Sequence, residues 1–121
     1  MDSKRRADGH FGYAVIDGRR YEKDVIVHPD GSVTERPTHL SLDLRDDYFH
    51  TPLSERELGF IEEDRPEVVI VGAGYKLMML LTPRAKDILS RYDLIVTSTQ
   101  RALELMGEER RRFVAILHLT C

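Results

Sequence analysis

Glu67-Val68-Val69-Ile70-Val71-Gly72-Ala73-Gly74 opens the second half of the chain with a short, almost unbroken β-branched run that stops at glycine. A strand covered on both faces carries apolar residues at successive positions instead of alternating them, so this run reads as a buried strand with Gly72 as its exit. Downstream, Thr82 and Pro83 stand as helix cap and first helical position, and Ala85, Ile88, Leu89 and Tyr92 follow with the spacing of one helix face. Residues 94–97 read as the next strand. Ser98 or Thr99 then caps a helix that runs to about Met106 and stops at Gly107, and residues 113–120 form a closing strand. The β-α-β-α-β order predicts an α/β domain in which helices cover a sheet.

Upstream of the run, Ser54 and Glu57 have the spacing of a capping box, and Leu53 and Leu58 that of a hydrophobic staple. A short helix is therefore expected there, ended by Arg65-Pro66 because the residue before proline is pushed out of the α region. Further back, residues 11–16 and 21–27 read as a hairpin joined at Asp17-Gly18, the dipeptide favoured in two-residue turns. His28-Pro29-Asp30-Gly31 is a reverse-turn signature before a third strand over 32–36. Leu40, Leu42 and Leu44 alternate with polar residues, which predicts one more extended piece, then a loop through Asp46, Asp47 and His50. Residues 1–9 are polar and aperiodic and read as a flexible lead-in, leaving 10–121 as a single domain.

At 121 residues, 41% hydrophobic and 32% charged, the composition is that of a globular domain with a core of its own. A formal net charge of -3 argues against general nucleic-acid binding, since the clusters Lys4-Arg5-Arg6, Arg19-Arg20 and Arg110-Arg111-Arg112 stand beside acidic residues. One cysteine, Cys121, forms no internal disulfide, which fits a reducing cytoplasm. No apolar run approaches the roughly 20 residues that cross a bilayer, so membrane insertion is not expected.

Several segments together resemble one family of small proteins. They are Phe11-Gly12, Tyr21-x-x-Asp24-Val25-Ile26-Val27, Val69-Ile70-Val71-Gly72-Ala73-Gly74, Thr99 with Ala102, and the ending Val114-Ala115-Ile116-Leu117-His118-Leu119-Thr120-Cys121. The resemblance is to the domain-of-unknown-function family four-nine-eight, whose fold is named after the archaeal protein Mth-nine-three-eight, and it spans almost the whole chain. It implies a three-layer β+α/β/α fold with a mixed central sheet and an N-terminal β-meander. Members include a mitochondrial complex I assembly factor and an adipogenesis-associated protein. Members also carry a Trp after the meander and a Tyr-Asn pair in the last helix, whereas this chain has no Trp and has Leu105-Met106 at that place.

Three places invite chemistry. Gly72 and Gly74 lie where a backbone approaches a phosphate, but position 77 is Leu, no helix opens at once and no Lys-Ser or Lys-Thr pair follows, so the nucleotide fingerprints are not met. The simpler reading is that both glycines adopt backbone angles closed to other residues. In open α/β sheets ligands sit beyond the carboxyl ends of parallel strands. That rule makes Gly72, Gly74, Lys76, Ser98 and Thr99 a candidate pocket for a small anion, against the simpler reading that Ser98 and Thr99 only cap a helix. His118 and Cys121 form a possible thiol-imidazole pair, disfavoured because alternation along a strand puts them on opposite faces. Met78-Met79 offers an adaptable apolar contact surface, or ordinary core. The histidines are scattered without metal spacing, so neither metal nor cofactor is expected. With no convergent catalytic constellation, the leading expectation is a protein-interaction or assembly domain, and the second is an anion-binding protein or enzyme.

Overall fold

The computed structural model describes residues 7–10 and 12–120. β1 (Ala7–His10), β2 (Tyr13–Ile16) and β3 (Arg19–Tyr21) pair antiparallel in chain order as a small sheet. Asp17 and Gly18 join β2 to β3 with both φ angles positive, 51° and 84°, the turn geometry whose twist matches the flanking strands. Residues 7–9, expected in the lead-in, belong to β1, which pairs with β2; residues 1–6, Phe11 and Cys121 lie outside the described part.

The returning strand expected over 21–27 is two strands in two sheets. β3 ends at Tyr21, and after Lys23 and Asp24 the chain enters β4 (Val25–Val27), which pairs with β5 (Val33–Glu35) and not with β2. The break falls where the sequence changes from exposed arginines to three consecutive buried residues, a pattern that belongs inside a covered sheet. Residues 37–52 also depart from expectation. Thr38–Leu44 winds as a 3₁₀ segment and α1 (Arg45–Tyr48) follows, with Leu40 and Leu42 exposed and Ser41 buried. The leucine alternation is therefore incidental, and the anchor is a polar side chain.

After a 3₁₀ turn at Glu55–Glu57 come α2 (Ile61–Asp64), β6 (Val68–Gly72), α3 (Pro83–Leu89), β7 (Asp93–Thr97), α4 (Thr99–Glu108) and β8 (Phe113–Leu117). The Thr82 side chain accepts from the Ala85 amide and the Ser98 side chain from the Arg101 amide, as their cap positions require. Gly107 lies inside α4, one residue before its end, instead of terminating it.

The large sheet has the order β5-β4-β8-β6-β7, with β8, β6 and β7 parallel and β4 antiparallel to both neighbours. β6 therefore has strands on both sides and all five residues buried, as its composition predicts. Its alternate residues serve two cores. Val68 and Ile70 pack with Ala14, Ile16 and the α4 residues Ala102, Leu103 and Met106, while Val69 and Val71 pack with Leu53, Leu58, Ile61, Ala85 and Leu89. Burying each such side chain stabilises the fold by roughly 1.5–3 kcal/mol. α3 and α4 cover opposite faces, which crossovers of one hand require when the second steps back over β6 to reach β8. The result is the expected three layers: meander plus α4, mixed sheet, and α3 with the short helices.

Candidate functional site

β8 runs parallel to β6, so the carboxyl ends of β6, β7 and β8 meet and bring Gly72, Gly74, Ser98, Thr99 and His118 to one end of the sheet. At this junction the polar groups serve one another. The His118 amide donates to Gly72 O (2.9 Å), and the Thr99 amide donates to Gly74 O (3.1 Å). The Thr99 hydroxyl accepts from the Gly74 amide (2.9 Å) and donates to His118 O (2.5 Å), with Thr99 fully buried. Ser98 caps α4, and Lys76 sits on the exposed part of the loop. Of the groups expected to line a crevice here, the buried Gly74 amide and Thr99 hydroxyl are thus bonded to the chain itself, while Ser98 is half-buried and Lys76 exposed. The two glycines also have different reasons. Gly74 has φ 100°, but Gly72 does not have positive φ; a Cβ there would stand 3.0 Å from Thr99 Cα, so Gly72 is needed for close packing of α4 on β6.

Just past β8 a chain of charged side chains begins that no local pattern announces. His118 Nδ1 is 2.7 Å from Asp24 Oδ2, and the Leu119 amide donates to Asp24 Oδ1 at 2.9 Å. Arg36 donates from Nη1 to Asp24 Oδ2 (2.8 Å), from Nε and Nη2 to the two oxygens of Glu57 (2.6 and 2.9 Å), and from Nη2 to Pro52 O (2.7 Å). Ser41 Oγ donates to Glu57 Oε2 (2.5 Å) and meets Ser54 Oγ at 2.6 Å. The capping-box pair is thus used otherwise. Ser54 makes no cap bond, and Glu57 holds Arg36 instead of reaching back to the backbone. The side chains of Arg36 and Glu57 are 1% exposed, so the pair is held in the low-dielectric interior where geometry must be complete to offset desolvation.

The electrostatics follow from these contacts. Burial alone pushes the Asp24 carboxyl up, but the hydrogen bond and charge of His118, the Leu119 amide and Arg36 outweigh it and hold the group below the usual carboxylate range. Arg36, opposed by burial and favoured by Glu57 and Asp24, is pushed above the usual guanidinium value. A carboxylate whose folded value is depressed adds stability above its unfolded value, about 3.9, and loses it as pH falls through the folded value. Urea denaturation of the wild type should therefore show stability falling in acid below about pH 4, and Asp24→Asn should flatten that part of the curve. Parallel acid limbs for the two proteins would refute the assignment.

Asp24, Arg36 and His118 form the floor of an open hollow of about 480 Å³, with Lys23, Arg45, His50, Thr51 and Thr120 around it. His118 is 9% exposed, and with Nδ1 turned to the carboxylate its Nε2 has the Thr120 hydroxyl at 3.4 Å. Among the described residues no group of three His, Cys, Asp or Glu is placed to hold a metal ion, and no helix is long and apolar enough to cross a membrane. Cys121 lies outside the described residues, so the thiol of the candidate His118 pair has no described position. His28, which sequence spacing leaves unassigned, bridges Asp64 (2.5 Å) and Thr34 (2.7 Å) with its ring edge-on to Phe60.

A second surface is apolar. Leu77, Met78, Leu80 and Val96 are 54%, 41%, 51% and 49% exposed, whereas Met79 is buried. Leu77, Leu80 and Val96 border a shallow hollow of about 390 Å³ together with Tyr48, Ala73, Met79, Leu81 and one charged residue, Lys86. Val96 belongs to β7, the last strand of the sheet on this side.

Among known proteins, the family model described as "Protein of unknown function (DUF498/DUF598)" matches residues 8–118. The crystal structure of the conserved hypothetical protein PH1505 from Pyrococcus horikoshii OT3 superposes with TM-score 0.83 at 28% identity, covering 94% of this chain and 97% of that one. The structure named MT938 superposes with TM-score 0.79 at 34% identity, covering 97% and 99%. A Mth938-like domain protein from Bordetella pertussis, solved by solution NMR, shares the fold with TM-score 0.54 at 23% identity, covering 91% and 82%. No curated protein matches the chain.

Proposed function

This chain belongs to the DUF498/DUF598 family of proteins of unknown function, and from that premise we propose that it acts as a protein-interaction domain, an accessory or assembly factor. The observation that carries the reading is the cluster of exposed Leu77, Leu80 and Val96 beside the outer edge of β7. Exposed apolar side chains scattered singly are ordinary on a protein surface; several gathered around one hollow favour contact with another molecule. The strand beside them adds to this. Asp93–Thr97 reads Asp-Leu-Ile-Val-Thr, without the Lys, Pro or inward charge that commonly blunts a sheet edge, and Asp93 is held by Arg111 at 2.9 Å. Such an edge suits one kind of partner: an extended, apolar segment of a different protein that adds a strand to β7 and drops alternate side chains into the hollow.

The test is a photo-crosslinking amino acid at position 96 in cells of the native host. The expected result is one discrete adduct, heavier than two copies of this chain or of unequal composition by mass spectrometry. It should disappear on Leu80→Asp or Leu77→Asp, exposed changes that move the urea midpoint by no more than about 0.5 kcal/mol equivalent. An adduct made of two copies of this chain overturns the reading in favour of self-association, and no adduct overturns it outright.

A further inference from the structure

Independently of the apolar surface, we infer that the polar hollow above His118 is a binding site for a small metabolite bearing an oxyanion group, phosphate or carboxylate, which His118 Nε2 contacts as a proton donor. Charge accounting around the hollow carries the inference. On its acidic side stand Glu22, Asp24 and Glu35. Glu22 is bonded to Arg20 at 2.8 Å, Glu35 lies 3.8 Å from Lys23, and both Asp24 oxygens are engaged by Arg36, His118 and the Leu119 amide. On its basic side Arg36 is fully used within the fold, but Arg45 and His50 make no ion pair among the described residues. The balance of unpaired charge facing the space is positive, and Thr38, Thr51 and Thr120 line the same wall with hydroxyls.

The buried imidazole is the second, separate observation. Asp24 is a carboxylate, so it accepts from His118 Nδ1–H, which leaves Nε2 as the nitrogen that the carboxylate does not engage, on a residue that lines the hollow. The residue is 9% exposed, and Nε2 has as its protein partner a hydroxyl at 3.4 Å, longer than a good hydrogen bond. A protonated ring held by a carboxylate behind it donates from Nε2 to an anion in front, a charge-assisted bond stronger than a neutral one. A volume of about 480 Å³ fits a metabolite and is far larger than a lone ion requires.

The charged groups that line the hollow beside His118 are Glu22, Lys23, Asp24, Glu35, Arg36 and Arg45; Asp24, the acid in direct contact with the ring, is held below the usual carboxylate range by that contact, the Leu119 amide and Arg36.

The experiment is an NMR titration of the histidine ring signals with inorganic phosphate and, separately, with acetate. Saturable movement of the His118 signals is expected with one or both probes; phosphate alone points to a phosphorylated ligand, acetate alone to a carboxylate. Arg45→Ala, an exposed change, and His118→Asn, whose amide keeps the hydrogen bond to Asp24 but lacks Nε2, should each weaken binding by about tenfold, the scale of one charge-assisted bond. Urea midpoints of both variants report folding separately. Absence of saturable shifts with either probe, or affinity unchanged in a folded Arg45→Ala and a folded His118→Asn, would overturn the site.

Discussion

Replacing Arg36 by alanine is expected to destabilise the fold by about 3–5 kcal/mol, the cost of removing one partner from a buried ionic network. Arg36 has a 1% exposed side chain, and its bonds join Asp24 at the crossing between sheets, Glu57 in the 3₁₀ turn and Pro52 O before it. Without the guanidinium, Glu57 is left buried with the Ser41 hydroxyl as partner, and Asp24 keeps His118 and the Leu119 amide. Total stability for a domain of this size is about 5–15 kcal/mol, so the variant should sit close to unfolding. Arg36→Lys should recover less than half, because a single ammonium does not bridge two carboxylates and a carbonyl at once. Equilibrium urea denaturation measures the series, with Arg101→Ala at the exposed Arg101–Glu104 pair as a control that should move the midpoint little. An Arg36→Ala midpoint within about 1 kcal/mol equivalent of wild type would contradict the buried network described.

Thr99→Val should cost about 2–4 kcal/mol although it preserves the shape of the side chain, since each buried backbone group left unpaired costs roughly 1–3 kcal/mol. The hydroxyl at this position is the bridge between the Gly74 amide and the His118 carbonyl, and both lie where the three parallel strands end. Thr99→Ser should restore most of the loss, which separates the hydroxyl from the methyl. Hydrogen exchange gives a local readout: the Gly74 amide should exchange much faster in the valine variant, while amides in β6 change only with global stability. A valine variant as stable as wild type, with Gly74 still protected, would rule out the bridge.

The two substitutions probe features that differ in how far they can be read in advance. Sequence spacing offers Thr99 as a helix cap or as the lining of a crevice, and the cap position is in fact held by Ser98, one residue earlier. Its actual task, locking the end of β6 to the residue after β8, depends on β8 entering beside β6 and parallel to it. Arg36 and Glu57 carry no signal of their own. Ser54 and Glu57 have the spacing of a capping box in any context, and only the arrival of Arg36 and Ser41 from earlier in the chain shows that the carboxylate turns inward.

What local sequence dictates here is the set of elements governed by short-range periodicity and backbone chemistry. Val68 to Val71 form a doubly covered strand, Asp17-Gly18 forms a tight turn, Thr82-Pro83 starts a helix, and Arg65-Pro66 ends one, because each depends on residues within a few positions. Strand partners and direction lie beyond that range. The division of 21–27 between two sheets, the parallel entry of β8, and the meeting of Asp24, Arg36, Glu57 and His118 arise from contacts across up to 94 positions, where packing and charge neutralisation in the interior select one arrangement among many that local preference allows equally.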